Sequence, residues 1–427
     1  MTLIDMGCAD MAVNFHAASL VPFGITNYVF IGQDAQTCDF VAAHGINCYV
    51  YKHDAAAGAS SLYHSKDFLR KMNIRTYMIL DALNLGYHVL HTDVDMTFMR
   101  NPIVDFRCKP GTCDVAPLWD CGAYNAGFLF IRNTPASRAM YAASKRIADT
   151  EPKTDDQIAL NRGIKAAKKS HGLKLVKLST RKYLCGKAYW EDQHRNFAAD
   201  AACKECVVVH DNWVVSMEAK RYRLKEMHWW LFDGDDRYYT SEDRQYLTFD
   251  LPMFAGTKAT IEKTELDTFK IALALGAILN RVVVLPQFHV ASATDKRHSL
   301  LHLTLIRSVD AGFADKYRES TFLTHPMVPA SIKHSISSVH LIKIPKYAQT
   351  VMKTAPSDVI VHEPADPKRG ASADEIRAWF GDEQAKVLRF HSLYDAFSDF
   401  DKSPLDKKFA EKIKNIKNFA KGNYRQF

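Results

Sequence analysis

No stretch of this 427-residue chain approaches the roughly 20 consecutive apolar residues needed to span a bilayer. The opening MTLIDMGCADMAVNF has no basic segment followed by an apolar one, which excludes a signal peptide. Asn-x-Ser/Thr acceptors are absent, and so are internal repeats and low-complexity tracts. The basic excess is not spread over the chain either. The net charge is +8, but the segment from Asp401 onward carries eight Lys/Arg against three Asp/Glu, so the rest is nearly balanced. That distribution excludes an extended nucleic-acid surface, which needs cations along a folded face.

Hydrophobic residues make up 47% and charged residues 24%, the composition of a globular protein whose core needs no metal or disulfide to form. The length suits two or three domains. Met1–Asp5 reads as the end of a buried strand. The chain therefore reads either as a soluble, cytoplasmic protein or as part of a longer, membrane-anchored precursor facing the Golgi lumen. All nine cysteines precede residue 207. Cys108 and Cys113 flank Lys-Pro-Gly-Thr, a loop able to close a small disulfide in an oxidising lumen. Cys203 and Cys206 have metal-knuckle spacing, but no second pair accompanies them, which argues against structural zinc. Buried free thiols are the plainer expectation.

Short apolar runs alternate with longer helical patterns in the first half, the signature of an α/β protein. Strands are expected at Ile25–Gly32, Ile46–Lys52, His88–His91, Asp114–Leu118, Gly127–Ile131, Leu173–Leu178 and Cys206–His210. Helices are expected at about Lys66–Leu85, closed by Gly86, and at Ala136–Ile147 and Asp155–Ala167. The polar, turn-rich run LFDGDDRYYTSEDRQY marks a boundary, dividing the chain into residues 1–240 and a smaller α/β domain at 241–427. In that second part a helix at Glu262–Leu279 leads into a strand at Val282–Pro286. Further strands at Ser357–His362 and Ala385–His391 enclose a helix near Ala373–Phe380. The terminal segment aligns Phe409, Ile413, Ile416 and Ala420 on one helical face with lysines opposite, a face expected to dock on its own domain.

The chemistry concentrates at Leu83–Pro102, LNLGYHVLHTDVDMTFMRNP. A helix, a glycine stop and an apolar strand deliver Asp93 and Asp95 to a strand's carboxyl end, the edge where ligands of open α/β sheets bind. Two carboxylates there suit Mn²⁺ or Mg²⁺, and such an ion neutralises charge on a departing diphosphate. Asp93-x-Asp95-x-Thr97 also fits the haloacid-dehalogenase phosphatase pattern. That family carries its motif on the first strand, whereas two or three strands precede it here. A non-catalytic sugar-binding protein is the other alternative.

Four segments then stand in one order: HTDVDMTFMRNP (His91–Pro102), YNAGFLFIRN (Tyr124–Asn133), TDDQIALN (Thr154–Asn161) and HDNWVVSMEAKRYR (His210–Arg223). With these the chain resembles the nucleotide-diphospho-sugar transferases that include plant extensin arabinosyltransferases, rhamnogalacturonan xylosyltransferases and a protist fucoside α-galactosyltransferase. The resemblance spans roughly residues 10–230. It implies a GT-A type fold, a UDP-sugar donor, a divalent cation, a glycan or glycoprotein acceptor and retention of anomeric configuration.

Carried over by motif, Asp93 faces the ribose and metal, Asp95 ligates the metal and His210 completes the site. Lys220 and Arg223 share a helical face suited to the leaving diphosphate. Arg75 lies near the nucleotide. Asn125 binds sugar hydroxyls and Gly127 permits close backbone approach. Asp156 and Gln157 stand beside the donor sugar or acceptor, with Asp120 as a further sugar contact. The alternative for Asp155 and Asp156 is simple helix-start chemistry. Phe269–Phe288 looks like half of a Rossmann-type unit, but no G-x-G-x-x-G follows its strand, so no second cofactor site is implied.

Overall fold

The computed structural model describes residues 1–52, 66–106, 108–192, 203–214, 217–251, 258–287, 315–341, 359–362, 371–391 and 393. The expected C-terminal amphipathic helix lies outside them. Two compact units divide the chain. The first comprises Met1–Arg195, Ala202–Lys220 and Trp229–Phe232; the second comprises Asn196–Ala201, Arg221–His228 and Asp233–Phe427. They interleave along the sequence between residues 196 and 233 rather than meeting at one boundary.

The N-terminal unit begins with β1 (Thr2–Ile4), α1 (Ala9–Phe15), β2 (Phe30–Gly32), α2 (Ala35–Ala42) and β3 (Cys48–Val50). Strands β1, β2 and β3 form a parallel sheet in that order. Next come α3 (Lys66–Asn84), β4 (Val89–Thr92), β5 (Met96–Phe98), the short α4 (Pro102–Asp105), β6 (Val115–Trp119) and β7 (Tyr124–Ile131). Strand β7 is the centre of an antiparallel sheet, ordered β4-β7-β6, and its near-continuous apolar run is buried on both sides. The Met1 amino group donates to the Leu90 carbonyl at 2.8 Å, and the Thr92 N–H to the Met1 carbonyl at 3.2 Å, tying β1 to β4.

Helices α5 (Pro135–Thr150) and α6 (Asp156–His171) follow, then β8 (Tyr183–Leu184), β9 (Val208–His210) and α7 (Met217–Glu226), whose residues from Arg221 on fall in the C-terminal unit. A third sheet, ordered β5-β9-β8, pairs β5 antiparallel and β8 parallel to β9. Helices α3, α5 and α6 pack their apolar faces on β4 and β7 through Ile74, Met78, Leu83, Met140, Leu160 and Ile164. Gly86 ends α3 as the glycine stop requires: at φ 99° it adopts the left-handed conformation, and its N–H donates to the Leu83 carbonyl at 3.1 Å.

The C-terminal unit holds β10 (Tyr246–Phe249), α8 (Lys258–Leu279), β11 (Val282–Val284), β12 (Tyr317–Arg318), β13 (Ile336–Leu341), β14 (Val359–His362) and β15 (Val387–Phe390). All six strands are parallel, ordered β12-β11-β10-β15-β13-β14, with α8 as the crossover from β10 to β11. The expected helix over Ala373–Phe380 is present, opened by a Ser372–Glu375 capping box.

Two expectations need correction. Leu173–Leu178 is no strand: it meets β6 through one bridge, Val115 to Leu175, and single backbone bonds such as Val176 N–H to Val115 O at 3.0 Å. The cysteines are not buried thiols. Cys38–Cys48, Cys108–Cys113, Cys121–Cys185 and Cys203–Cys206 are disulfides, and Cys8 alone is free.

Candidate active site

The site begins where β4 ends. Asp93 follows Thr92, and its N–H donates to the Gly127 carbonyl at 2.7 Å, so β7 fixes the backbone at the turn. A Cβ on Gly127 would collide with the Asp93 carboxylate, reaching 2.8 Å from its Cγ. Only glycine leaves that space. The chain turns through Val94 and Asp95 into β5, whose register against β9 sets Met96 opposite His210. The Asp211 N–H closes the pairing on the Asp95 carbonyl at 2.8 Å. One ladder thus carries His210 back to the acidic pair. Ligand atoms of Asp93, Asp95 and His210 lie within 4.8 Å of one another.

Two cations hold the carboxylates. Arg75 on α3 directs Nη2 to Asp93 Oδ1 at 2.9 Å and Nη1 to Asp156 Oδ2 at 2.8 Å. Lys220 places Nζ 2.5 Å from Asp95 Oδ2, and His210 Nε2 lies 3.2 Å from Asp95 Oδ1 and 3.8 Å from Asp93 Oδ2. Burial alone would push both carboxyls up. Against it, Arg75 with His91 holds Asp93 far below the ordinary carboxylate range, while Lys220 and His210 bring Asp95 to about 2. Burial disfavours a charged His210 and a charged Lys220, yet Asp95 lifts both above their usual values. Burial takes Asp156 up to about 6 despite Arg75, and takes His91 down to about 4.

Beside this centre, Asp120 gathers donors from three parts of the N-terminal unit. Its Oδ2 accepts from Asn125 Nδ2 at 3.1 Å and Gln157 Nε2 at 3.3 Å. Its Oδ1 accepts from Asn212 Nδ2 at 2.8 Å and Trp213 Nε1 at 2.7 Å. Gln157 Oε1 in turn accepts from Asn125 Nδ2 and the Ala126 N–H, both at 3.2 Å. Asn125 Oδ1 accepts from the Gly127 N–H at 2.8 Å, which links this network to the backbone holding Asp93.

Ten of the eleven residues singled out in sequence therefore fall into two joined clusters: Asp93, Asp95, His210, Arg75, Lys220 and Asp156, then Asp120, Asn125, Gln157 and Gly127. Arg223, the eleventh, is buried and belongs to the C-terminal unit, so it is not part of these clusters. The three acidic and amide positions opening α6 divide their work. Asp155 caps the helix by accepting from the Ile158 N–H at 2.7 Å, Asp156 holds Arg75, and Gln157 enters the Asp120 network. Asn212, Trp213 and His91, whose Nε2 lies 3.6 Å from Asp93 Oδ1, also join the site, although the motifs alone assign them no role. Only the folded register shows where these three point.

The donor set fits a hard or borderline divalent cation: two carboxylates and an imidazole converge, and their own charges are compensated by cations rather than protons. The buried His210 Nδ1 has no hydrogen-bond partner among the described residues.

The model of the nucleotide-diphospho-sugar transferase family matches residues 24–224. Arabinosyltransferase XEG113 of Arabidopsis thaliana is 23% identical over 81% of this chain and 62% of its own length. A UDP-galactose:fucoside alpha-3-galactosyltransferase of Dictyostelium discoideum is 22% identical over 55% of this chain and 43% of its own. The chain thus spans under two thirds of these relatives. Among solved structures, the glycosyltransferase GlyE of Streptococcus pneumoniae TIGR4 aligns over 84% of this chain and 89% of its own, at 14% identity and a TM-score of 0.37. The residues this family model matches, 24–224, include every residue of the site.

Proposed function

We propose that the protein is a metal-dependent glycosyltransferase that moves a sugar from a UDP-sugar to a glycan or glycoprotein acceptor, with retention at the anomeric carbon. The observation that carries this reading is the convergence of Asp93, Asp95 and His210 at a strand end, flanked by Arg75 and Lys220. Three carboxylates, those of Asp93, Asp95 and Asp156, face two permanent cations there. A divalent ion would tip that balance to positive, the sign a diphosphate requires.

Asp93, Asp95 and His210 would hold Mn²⁺ or Mg²⁺, which supplies Lewis-acid stabilisation of the departing diphosphate. Asp156 and Asp93 clamp Arg75 between them, so its guanidinium is set before the donor arrives. Lys220 offers a movable cation to the phosphate side. Asp120, Asn125 and Gln157 offer acceptors and donors at one place, the chemistry that fixes sugar hydroxyls. Retention and the UDP donor rest on the resemblance. The relatives' names give galactose, xylose and arabinose as candidate donor sugars. Four disulfides favour an oxidising compartment such as the Golgi lumen. Among the described residues no helix is long and apolar enough to cross a membrane.

Incubation of the full chain with a panel of UDP-sugars and Mn²⁺ tests the reading. UDP release that depends on the sugar and stops with chelator supports it. Phosphate release from simple esters without sugar preference would replace it with the phosphatase alternative.

A further inference from the structure

Trp213 occupies a backbone conformation that bulky side chains avoid. Its φ is 61°, in the left-handed region. Such positions persist only where surroundings over-determine them, and they gather at ligand sites. Here the indole Nε1–H donates to Asp120 Oδ1 at 2.7 Å. Its neighbour Asn212 donates to the same oxygen at 2.8 Å and accepts from the Gly186 N–H at 2.6 Å. The ring edge is fixed, yet the residue remains 45% exposed. A rigid indole with one edge anchored and its surface in solvent lies three positions from His210.

A cavity of about 310 Å³ adjoins the same anchors. Trp119 and Cys121, which bracket Asp120, line it together with Cys185 and Lys187, which bracket Gly186. The Cys121–Cys185 disulfide joins these two walls. The residues that hold Asn212 and Trp213 in place are therefore framed by the lining of a pocket within the N-terminal unit.

We propose that Trp213 is the stacking platform for a sugar ring of the acceptor, and that the cavity beside Asp120 and Gly186 takes the adjoining part of that acceptor. This rests on the transferase reading above. A sugar ring is amphipathic: its C–H face suits an aromatic surface while its hydroxyls need hydrogen-bond partners at the rim. Trp213 supplies the first, and Asp120 and Asn212 supply the second. The acceptor rather than the donor is assigned because Asn125, 3% exposed and bonded to the Gly127 N–H, faces the Asp93 side. Trp213 is the exposed one of the four side chains bonded to Asp120, the one open to a second substrate arriving from solvent.

The test compares Trp213→Ala and Trp213→Phe with the wild-type full chain, using a panel of methyl glycosides as acceptors. Trp213→Ala raises the acceptor KM about tenfold or more while the donor KM stays within about twofold. Trp213→Phe keeps an aromatic face but loses the N–H to Asp120, and recovers most of the acceptor affinity. Saturation-transfer NMR with the same glycosides reads binding without turnover, so it answers even if no UDP-sugar is used and the transferase reading fails. Equal rises in donor and acceptor KM, or a Phe variant as poor as Ala, would overturn the proposal by showing that Trp213 acts through Asp120. Undiminished glycoside binding by Trp213→Ala would overturn it as well.

Discussion

The Lys220 ammonium stands 2.5 Å from the Asp95 carboxylate, although 125 residues separate them in the chain. This contact occupies one oxygen of a proposed metal ligand, so cation and metal compete for Asp95. Lys220→Ala should therefore bind Mn²⁺ more tightly in the absence of donor. It should bind the UDP-sugar less tightly, because a positive group near the phosphates is lost. A charge-assisted hydrogen bond contributes about 1.5–3 kcal/mol, roughly a tenfold to hundredfold rise in donor KM. Calorimetric Mn²⁺ titration and donor kinetics read the two opposite signs. Weaker metal binding in the variant would refute the competition.

Asp95 itself is nearly isosteric with Asn, which permits a test of charge without loss of packing. Asp95→Asn should lower kcat/KM at least about a hundredfold and remove metal-dependent UDP binding. Its melting temperature should stay within a few degrees, because Lys220 is itself partly exposed and regains water. Turnover near wild type would remove Asp95 from the metal site.

Gly127 separates β7 from the Asp93 carboxylate, and a methyl group there has nowhere to go. Gly127→Ala should cost about 1–3 kcal/mol in stability from overpacking and displace Asp93, with loss of donor binding as the larger effect. Thermal melts and UDP-sugar binding measured on one preparation separate the two. Full donor affinity would show that Asp93 tolerates the shift.

These contacts mark what the sequence could and could not show. The Asp93–Asp95 pair was legible because helix, glycine stop and apolar strand bracket it, all of them local signals. Helix limits were legible for the same reason: caps at Gly86 and Ser372 are written in single residues. The rest depends on pairing. Strand β5 has three residues, too few for a period, and although β9 falls within the strand expected at Cys206–His210, only the register of the two brings His210 to Asp95. Asp156 reads as helix-start chemistry until α3 and α6 are packed and Arg75 is seen between two carboxylates. The interleaving of the two units around residues 196–233 has no compositional mark, since the polar run after Leu231 includes the buried Tyr239 and Tyr246.

In the C-terminal unit, burial pushes the Glu226 carboxyl up to about 8, while Ser320, donating at 3.1 Å, pulls the other way. The folded value exceeds the unfolded one, so the folded unit binds the extra proton. Its contribution to stability is complete below the unfolded carboxylate range and is lost as pH rises through about 8. Glu226→Gln keeps the shape and carries no ionisable proton. Relative to the variant, wild type should lose roughly a few kcal/mol between pH 5 and 9. Denaturant melts at those two pH values measure it. Parallel pH profiles for the two proteins would show that Glu226 stays ionised.

Cys121–Cys185 closes a 64-residue separation around the Asp120 network, with Asp120 beside one sulfur and Gly186 beside the other. A loop of that size limits the unfolded ensemble by roughly 2–4 kcal/mol. The double variant Cys121→Ser/Cys185→Ser should lose stability of that order. It should lose transfer beyond what the lower stability explains, because Asp120 and Gly186 are no longer held at a fixed spacing and the bonds they share with Asn212 and Trp213 loosen. The metal centre does not depend on this bridge, since β5, β7 and β9 fix Asp93, Asp95 and His210. Mn²⁺-dependent UDP binding should therefore survive below the melting temperature while the acceptor KM rises. Measured together, those two quantities show whether the bridge serves the sugar side of the site or the whole of it: an equal loss of UDP binding would place the bridge under the metal centre too.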